Sequence, residues 1–421
     1  MGLGLLGRGV GDAAFLAQCG STLTVTDRKS AEELAESLKQ LEEYKNITFV
    51  LGEHRLEDFK HCDMAIKAAG VPLDSPYIAE ARKNNIPVYM TTALFAKFAQ
   101  EKGAVVVGIT GTRGKSTTTH LIYHVLKNLG RRVHLGGNVR GLSTIALIPD
   151  VQKGDIAVLE LDSWQLQGFG DLGISPHIAL FTNLLPDHLN YYQNMELYFA
   201  DKANIFKNQK SGDALFMREQ VRGLAEAARP PVVPVVPAAL PKEWVLKLRG
   251  EHNRENAALA AAVLRALGVG EKEIRAGLES FESVEGRLQK IAEIKGVTFY
   301  NDNNATTPDA TVVALRSFDR PVILIAGGAD KGISCDGMLE AISKHCKKTI
   351  LLEGTGTDRI KDKIGKTTIY RSLSDALKDA LSAAVPGDTV LFSPGFASFG
   401  LFKNEYDRND QFIKAVKAYT K

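Results

Sequence analysis

Short runs of apolar and β-branched residues alternate with stretches of helical period from the start of the chain. In the first part the pattern predicts strands at 23–26, 47–51 and 64–69. Strands separated by helices are typical of a parallel sheet. Residues 1–90 are therefore predicted to form a small Rossmann-like unit.

The same alternation continues in two further regions. A strand over 104–110 runs into a glycine-rich turn and a helix, and a third series of strands starts near Arg287. We therefore predict an α/β protein of three domains, at 1–90, 91–286 and 287–421. The later elements that support this prediction are strands at 156–161, 177–183, 297–301, 322–326, 349–352 and 389–393, and a helix at 253–267.

Proline interrupts this alternation in one place, the segment 229–241. Proline lacks a backbone N–H and favours extended backbone, so the segment is predicted to be an extended surface connection without chemistry of its own. The sequence shows no short-period internal repeat, which argues against a solenoid.

Composition narrows the class of protein. The chain is 44% hydrophobic, which is typical of a globular protein. Its 421 residues are too many for one compact core. Lys and Arg total 52 against 49 Asp and Glu, without blocks of one sign, so nothing indicates a nucleic-acid partner. The four cysteines form no Cys-x-x-Cys pair and are expected to be free thiols. No apolar stretch approaches the roughly 20 residues that span a bilayer, so we expect a cytoplasmic protein without a membrane partner.

A glycine pattern opens the chain. Gly2, Gly4 and Gly7 have the G-x-G-x-x-G spacing of a dinucleotide-binding turn, and Asp27 lies where a ribose-binding acid would fall. On these residues alone, a tight turn without a ligand explains the glycines equally well. Such a turn normally follows a strand, yet only Met1 precedes it, so the first strand is expected to be missing or the true start to lie upstream.

A stronger signal follows the strand at 104–110, in Thr-Gly-Thr-Arg-Gly-Lys-Ser-Thr-Thr at 110–118. Its glycines let backbone N–H groups approach phosphates, and the helix N-terminus favours anions. Lys115 would neutralise phosphate charge, and the Ser116 hydroxyl would bind Mg²⁺. The glycine spacing counted from Gly111 is shorter than in the general G-x-x-x-x-G-K-[ST] pattern. The strand, turn and helix together nevertheless predict a nucleotide site.

The segment 110–118 resembles the P-loop of the Mur ligases and folylpolyglutamate synthases. Gly-Gly-Asn-Val at 136–139 is similar to the turn that contacts the nucleotide-sugar substrate in this family, and Glu-Leu-Asp-Ser-Trp-Gln-Leu at 160–166 to its Mg²⁺-binding segment. The resemblance covers essentially the whole chain. Further similar segments follow in the family's order at 183–189, 198–206, 250–257, 285–287, 301–308, 327–332 and 393–399.

The resemblance implies an enzyme that uses ATP and two Mg²⁺ ions to activate a carboxylate as an acyl phosphate. It also implies that Lys202 is carbamylated, which makes it an anion that bridges metals, and that Arg287 reaches the γ-phosphate when its domain closes. Taken singly, Lys202 is better explained as a solvated helix lysine, His188 is explained equally well as a loop histidine, and Glu160 could be a carboxylate at the end of a sheet. Their order after the P-loop is what favours a site. The implied residues are Lys115, His188, Lys202 and Arg287 for catalysis; Gly111, Thr112, Arg113, Gly114, Lys115, Ser116, Thr117, Asn256, Arg287 and Asp302 for ATP; and Ser116, Glu160, His188 and Lys202 for metal.

The three C-terminal motifs resemble those of the family member that adds D-glutamate to UDP-N-acetylmuramoyl-L-alanine, and the Asp-Asn-Pro-Arg signature of the diaminopimelate-adding member is absent. The resemblance implies a uridine-nucleotide domain, a central P-loop ATPase-type domain and a C-terminal Rossmann-like domain that brings the amino acid. The substrate-binding residues so implied are Gly4, Leu5, Leu6, Asp27, Asn138, Gln165, Thr306, Lys331, Ser398 and Phe399.

Three positions depart from the family pattern. Asn304 stands where the family has lysine, and Asp162 stands where it often has serine. Glu405 stands where the family often has an aromatic residue after Phe-Lys-Asn. Because Asn304 lacks the positive charge of that lysine near the carboxylate of the incoming amino acid, the identity of this amino acid stays open. One alternative is another Mur ligase or a folylpolyglutamate synthase. A second is a relative that works with an amidotransferase partner, but such relatives usually carry a zinc ribbon, which this sequence lacks. A third is a non-catalytic ATP-binding scaffold. A monomer acting on small molecules in peptidoglycan precursor synthesis is expected.

Overall fold

The structure, a computed structural model, describes residues 1–5, 7–72, 74–365 and 367–420. The chain forms two compact units, the first of residues 1–239 and 256–277 and the second of residues 240–255 and 278–421. Helices α10 (Glu251–Ala266) and α11 (Glu271–Ser280) contribute residues to both units. Among the described residues no helix has both the length and the apolar character needed to cross a membrane.

The first unit begins with two small parallel sheets, β1 paired with β2 and β3 paired with β4. The amine of Met1 donates to Ile66 O at 2.9 Å, and the N–H of Gly2 donates to Thr26 O at 2.8 Å. The first residues therefore lie between β1 and β3. In chain order the elements are α1 (Arg8–Gln18), β1 (Leu23–Asp27), α2 (Ala35–Lys39), β2 (Ile47–Leu51), a 3₁₀ helix (Leu56–Phe59), β3 (Ala65–Ile66), α3 (Pro76–Lys83) and β4 (Val88–Tyr89).

A six-stranded parallel sheet of order β10-β9-β8-β5-β7-β6 follows in the same unit. Strands β5, β7 and β8 are almost wholly buried, which explains their continuous apolar runs. Ligands bind at the carboxyl ends of such strands, so the turn after the internal strand β5 is well placed for a site. The elements are α4 (Thr91–Glu101), β5 (Val105–Thr110), α5 (Lys115–Asn128), β6 (Val133–Gly137), a 3₁₀ helix (Ile145–Asp150), β7 (Ile156–Glu160), α6 (Ser163–Asp171), β8 (Ile178–Phe181), α7 (Leu189–Tyr192), α8 (Met195–Lys202), a 3₁₀ helix (Ala203–Ile205), β9 (Ala214–Met217), α9 (Glu219–Ala227) and β10 (Pro234–Val235).

The proline-rich segment 229–241 is extended, as predicted, but it is not wholly irregular. Pro234 and Val235 form β10, which pairs in parallel with β9 at the edge of the sheet. An edge position tolerates proline because one side of the strand needs no N–H donor.

The second unit is built on a sheet of order β11-β12-β16-β13-β14-β15, in which only the pairing of β11 with β12 is antiparallel among the described strands. The carboxyl ends of β12, β13 and β16 are neighbours, so their following loops share one edge. The elements are β11 (Gln289–Ile294), β12 (Val297–Asn301), α12 (Pro308–Leu315), β13 (Val322–Gly327), α13 (Asp336–His345), β14 (Cys346–Leu352), α14 (Thr355–Asp358), a 3₁₀ helix (Lys361–Lys363), β15 (Ile369–Tyr370), α15 (Leu373–Ala383), β16 (Thr389–Phe392) and α16 (Glu405–Lys417).

Candidate active site

The turn after β5 adopts backbone conformations that favour glycine. Gly111 has φ 140° and Gly114 has φ 84°. A Cβ on Gly111 would clash with the Thr182 hydroxyl, and one on Gly114 with the Asn256 side chain. Helix α5 then begins without a side-chain cap, which leaves the backbone N–H groups of its first turn available to an anion.

The turn is held from one side by the segment after β8. The N–H of Thr112 donates to Asn183 O at 2.8 Å, and the N–H of Arg113 donates to Asn183 Oδ1 at 2.8 Å. The Thr182 hydroxyl donates to Arg113 O at 2.6 Å. These contacts fix the turn in an open shape without using the N–H groups of the helix.

Two lysines converge on the turn. Lys115 Nζ donates to Gly111 O at 3.0 Å, and Lys202 Nζ donates to the same oxygen at 2.8 Å. Lys202, at the end of α8, is 1% exposed and lies over the Tyr198 ring at 4.7 Å. Burial, followed by the charge of Lys115, lowers the pKa of Lys202 well below its usual range. Burial therefore shifts Lys202 towards the neutral amine, which is the form that reacts with carbon dioxide.

Glu160 ends β7, beside β5, with 4% exposure. Its backbone oxygen accepts from the N–H of Asn138 at 2.7 Å, so the turn after β6 is tied to it. The next helix, α6, starts with a capping box between Asp162 and Gln165. Asp162, which departs from the family's serine, thus has a local structural role as N-cap.

His188 lies at the start of α7 in a left-handed backbone conformation, φ 54°. Its ring centroid lies 4.7 Å from that of Trp164, and its Nε2 lies 3.7 Å from Asp187 Oδ2. Burial lowers the pKa of His188. The charges of Lys115 and Lys202 also lower this pKa, whereas the charge of Asp187 raises it. A neutral imidazole beside these two lysines is suited to ligating a metal.

The predicted metal ligands include two oxygen donors, which suit Mg²⁺, and one softer nitrogen donor. Glu160 offers a carboxylate, Ser116 a hydroxyl and His188 an imidazole. In the described part of the chain, no three His, Cys, Asp or Glu side chains come together as a metal-binding group. The set therefore fits Mg²⁺ when further oxygen donors are added, such as phosphate oxygens or a carbamate on Lys202.

The remaining predicted ATP residues of this unit adjoin the same turn. Ser116 and Thr117 lie in the first turn of α5. Asn256, in α10, is 2% exposed and packs against Gly114, and its Oδ1 accepts from Arg218 Nη2 at 2.8 Å. Arg218 was not predicted from the sequence, because its contact with Asn256 joins distant parts of the chain.

The residues predicted to bind the nucleotide sugar occupy another part of the first unit. The carboxylate of Asp27 accepts from the N–H groups of Gly4 and Lys29, both at 2.9 Å. Leu5 is 49% exposed, and Leu6 lies outside the described residues. A cavity of about 890 Å³ lies against the glycine turn and α1, and Gly4, Leu5 and Gln165 are among the residues that line it.

A buried polar network that the sequence did not reveal borders α8. Lys67 is 2% exposed, and its Nζ donates to Val71 O at 3.1 Å and Gln167 Oε1 at 3.4 Å. Gln167 Nε2 in turn donates to Asp201 Oδ2 at 2.7 Å. Burial lowers the pKa of Lys67 to about 8. The network connects β3 with the helix that carries Lys202.

Asp302 and Arg287 belong to the second unit. Asp302 Oδ2 accepts from Ser393 Oγ at 2.8 Å, and its Oδ1 accepts from the N–H of Leu288 at 3.1 Å. Burial raises the pKa of Asp302 to about 7. The two hydrogen bonds and the charge of Arg287 lower this pKa, but their effect is smaller than that of burial. The carboxyl group is therefore easily protonated in the isolated chain.

The residues predicted to bind the incoming amino acid lie on neighbouring loops of the second sheet. Lys331 Nζ donates to Thr306 Oγ1 at 3.1 Å. Ala329 and Ala397 form an isolated β-bridge that joins the loops after β13 and β16. Next to that bridge, Ser398 is 3% exposed and Phe399 is 64% exposed. The structure thus brings together Thr306 and Lys331, and places Ser398 on an adjacent, connected loop.

Arg408 organises the same edge of the second sheet and was not predicted as a site residue. It is fully buried in α16. Its Nε donates to Asn303 Oδ1 at 2.8 Å, its Nη2 to Asn303 O at 2.9 Å and its Nη1 to Phe396 O at 3.0 Å. Asn304, the departing position, donates through Nδ2 to Glu285 O at 3.2 Å.

Three family models match the sequence. They are the Mur ligase MurD-like N-terminal domain over residues 1–90, the Mur ligase middle domain over 109–237 and the Mur ligase glutamate ligase domain over 286–396. The matches follow one another along the chain in that order.

Similar sequences span nearly the full length of the chain. The proteins named UDP-N-acetylmuramoylalanine–D-glutamate ligase from Roseiflexus sp. (strain RS-1) and Streptococcus mutans are 35% and 36% identical to it. They cover 100% and 99% of this chain, which in turn covers 98% and 96% of them. The protein of that name from Borreliella afzelii is 34% identical over 99% of this chain and 96% of its own length.

Solved structures share the fold. The UDP-N-acetylmuramate-alanine ligase MurC of Thermotoga maritima has a TM-score of 0.63 at 19% identity, covering 99% of this chain and 98% of its own. Escherichia coli FolC in complex with DHPP and ADP has a TM-score of 0.60 at 19% identity, covering 84% and 100%. Identity this low supports the fold alone, and it confirms the α/β class predicted from the sequence.

Proposed function

The chain belongs to the Mur ligase family, and from this premise we propose that it is an ATP-dependent ligase that joins D-glutamate to UDP-N-acetylmuramoyl-L-alanine. The reaction serves peptidoglycan precursor synthesis. The observation that carries the assignment is the full-length similarity, at 34–36% identity, to proteins named for this activity. The resemblance to the Mur ligases noted in the sequence is confirmed by the family matches.

The turn from Gly111 to Ser116 is proposed to hold the phosphates of ATP. The glycine conformations and the uncapped start of α5 support this, because they present backbone N–H groups to an anion. Lys115 brings positive charge to the same place. Use of ATP agrees with ADP in related structures such as FolC and the MurF ligase of Thermotoga maritima, which has a TM-score of 0.58 at 19% identity and covers 85% of this chain and 98% of its own.

Two Mg²⁺ ions are proposed to be held by Ser116, Glu160, His188 and Lys202. When bound, Mg²⁺ neutralises phosphate charge and polarises the γ-phosphoryl group. Lys202 would serve after carbamylation, because a carbamate offers the oxygen ligands that Mg²⁺ takes and an amine does not. Its burial and its lowered pKa support that modification, since a neutral amine is the nucleophile that takes up carbon dioxide.

The donor nucleotide is proposed to bind through Gly4, Leu5, Asp27, Asn138 and Gln165. Asp27 faces the glycine turn, and Asn138 follows β6. Residues of the second unit are proposed to complete the ligand set: Arg287 and Asp302 for ATP, and Thr306, Lys331, Ser398 and Phe399 for the amino acid. The boundaries 1–90, 91–286 and 287–421 remain our proposal for the domains, and a monomer is proposed as the working form.

The chemistry proceeds in two transfers. An oxygen of the L-alanyl carboxylate attacks the γ-phosphorus of ATP, the bond to the β-phosphate oxygen breaks, and ADP leaves. The amine of D-glutamate, after losing a proton to a base that we do not assign, attacks the acyl carbon, and inorganic phosphate leaves. Lys115 stabilises the charge on the transferred phosphoryl group. His188 would be a ligand of the metal, whose charge would stabilise the phosphoryl group.

ADP release across a panel of substrates tests this function. UDP-N-acetylmuramoyl-L-alanine and dihydropteroate are offered as donors, each with D-glutamate, L-glutamate, L-lysine or meso-diaminopimelate. We expect ADP only with the first donor and D-glutamate, and none from Lys115→Ala. ADP with another pair would assign a different ligase, which matters because Asn304 replaces the family's lysine. No ADP with any pair would contradict this function and would leave a ligase for another donor or a binding scaffold.

A further inference from the structure

Helix α6 holds the turn that carries Lys202 on both sides of this lysine. Lys202 is the last residue of α8, where the α-helix gives way to a 3₁₀ helix. Before it, the Asp201 carboxylate accepts from Gln167 Nε2 at 2.7 Å. After it, Asn204 Nδ2 donates to Leu166 O at 3.1 Å. The backbone around Lys202 is therefore fixed against two successive residues of α6.

Close packing between the two segments reinforces these hydrogen bonds. Gly170 of α6 faces Asn204, and a Cβ on Gly170 would lie 2.7 Å from Asn204 Nδ2. Helix α6 also follows directly on β7, the strand that ends at Glu160. The helix that holds the turn of Lys202 is therefore joined to the strand that carries another proposed metal ligand.

Lys67 determines which way the Gln167 amide faces. Lys67 Nζ donates to Gln167 Oε1 at 3.4 Å and to Val71 O at 3.1 Å, and both side chains are buried. Gln167 Nε2 donates to Asp201 Oδ2 and also to Tyr191 Oη, at 3.3 Å. A lysine ammonium only donates and a carboxylate only accepts, so one orientation of the amide satisfies both. Lys67 thus favours the orientation that binds Asp201.

The direction of the Lys202 side chain depends on this contact. An α-helix turns by about 100° per residue, so fixing Asp201 also fixes the direction in which Lys202 leaves the helix. Lys202 is buried, and its Nζ donates to Gly111 O at 2.8 Å. A rotation of the last turn of α8 would move this nitrogen away from the phosphate turn.

We propose that Asp201 is a positioning residue for Lys202, and that Gln167 and Lys67 act through it. The inference rests on the proposed function, because it concerns the carbamate proposed for Lys202. In that modification the neutral amine nitrogen forms a bond to the carbon of carbon dioxide, one C=O electron pair moves to oxygen, and the nitrogen loses a proton to water. Asp201 takes no part in these bond changes. It fixes the position from which the amine reacts.

Titration of the full chain with ¹³C-bicarbonate at fixed Mg²⁺, followed by NMR, tests this role. The carbamate resonance is assigned by its loss in Lys202→Ala. Asp201→Ala removes the acceptor, whereas Asp201→Asn keeps an oxygen that can accept from Gln167. Glu196→Ala is the matched control, because Glu196 is an exposed acidic residue of the same helix.

Asp201→Ala is expected to need roughly tenfold more bicarbonate than the unmodified chain for half-maximal carbamate, because the contact that directs the lysine is lost. Asp201→Asn should stay within about twofold of the unmodified chain, since one hydrogen bond of the same geometry remains. Glu196→Ala should leave the requirement unchanged.

Two further variants test the path through Gln167. Gln167→Met should resemble Asp201→Ala, and Lys67→Met should raise the bicarbonate requirement by a smaller factor. In the Asp201→Ala background, Lys67→Met should add nothing, because its effect passes through the contact already removed. Additive effects of the two replacements would contradict that order.

Thermal unfolding of each variant distinguishes positioning from stability. A lower unfolding temperature of Asp201→Ala with an unchanged bicarbonate requirement would show that Asp201 only stabilises the fold, and the proposed function would stand. Absence of the resonance from the unmodified chain would overturn the carbamate together with this role, and ADP release would then decide whether the ligase function holds. If Asp201→Ala does not fold, Gln167→Met provides the same comparison.

Discussion

Lys115 and Lys202 donate to the same carbonyl oxygen, that of Gly111, at 3.0 and 2.8 Å. Two ammonium groups on one acceptor repel each other, and the burial of Lys202 adds the cost of desolvation. This arrangement is unfavourable for two cations. It would suit one cation beside a carbamate, so the pair supports the modification proposed for Lys202.

Lys202 is predicted to carry a carbamate in the active protein. Lys202→Ala should lose at least 100-fold in kcat, because the metal loses an oxygen ligand, and short carboxylates such as acetate should restore part of it. Labelling with ¹³C-bicarbonate should give a carbamate resonance that Lys202→Ala lacks. Lys207→Ala, an exposed neighbour, is the control. Absence of the resonance with full activity would discard the modification.

Gly114→Ala is predicted to abolish tight ATP binding. The added Cβ would collide with Asn256 and displace the phosphate turn. Gly130→Ala is a matched control, because Gly130 also has positive φ, 69°, but a Cβ there meets nothing within 4 Å. Both variants should lose about 1 kcal/mol of stability from backbone strain, and Gly114→Ala should lose more because of the collision. Only Gly114→Ala should lose tenfold or more in ATP affinity. Equal ATP affinities would contradict a role for this turn.

The titration of Asp302 is predicted to make stability depend on pH. Its folded pKa of about 7 lies above the ordinary value of 3.8, so the folded state holds more protons between these limits. The free energy of unfolding should therefore fall as pH rises from about 4 to about 7. Asp302→Asn should be more stable than the unmodified chain at pH 8, by about 1 to 3 kcal/mol, and the gain should vanish near pH 4.

Urea unfolding of Asp302→Asn and Asp319→Asn across this pH range provides the measurement. Asp319 is exposed, so its replacement should leave the pH dependence unchanged. A gain from Asp302→Asn that is constant with pH would show that the effect comes from packing rather than from ionisation.

Arg408 is predicted to stabilise the loops of the second unit. Arg408→Met would leave the oxygens of Asn303 and the carbonyl of Phe396 without their donor, and should lower the free energy of unfolding by about 3 kcal/mol or more. Arg371→Met, at a side chain that is 83% exposed, should change it by no more than about 0.5 kcal/mol. Equal losses in urea unfolding would indicate that the buried hydrogen bonds contribute little.

The sequence predicted those elements in which local pattern and burial agree. Strands such as β5 and β13 are continuous apolar runs because they are buried in parallel sheets. Strand β11 was missed because its residues are only partly buried and show no clear alternation. The two-residue strands β4 and β10 are too short to give a period, whereas β3 lies within the strand predicted at 64–69.

The sequence predicted only those parts of the candidate site that lie within local motifs. The glycine turn and Lys115 form one local pattern, so the sequence predicted them together. The shared acceptor of Lys115 and Lys202 arises from tertiary packing, which no spacing reveals. Arg8 and Asn138 are 130 residues apart in the chain, and their contact was likewise beyond sequence reasoning.

Transfer of oxygen-18 from the substrate carboxylate to inorganic phosphate tests the central claim most directly. UDP-N-acetylmuramoyl-L-alanine labelled in both L-alanyl carboxylate oxygens is incubated with ATP, Mg²⁺ and D-glutamate, and the phosphate is analysed by mass spectrometry. Passage through an acyl phosphate predicts one labelled oxygen in each phosphate released. Phosphate released with product but without label would contradict activation of the carboxylate by the γ-phosphoryl group.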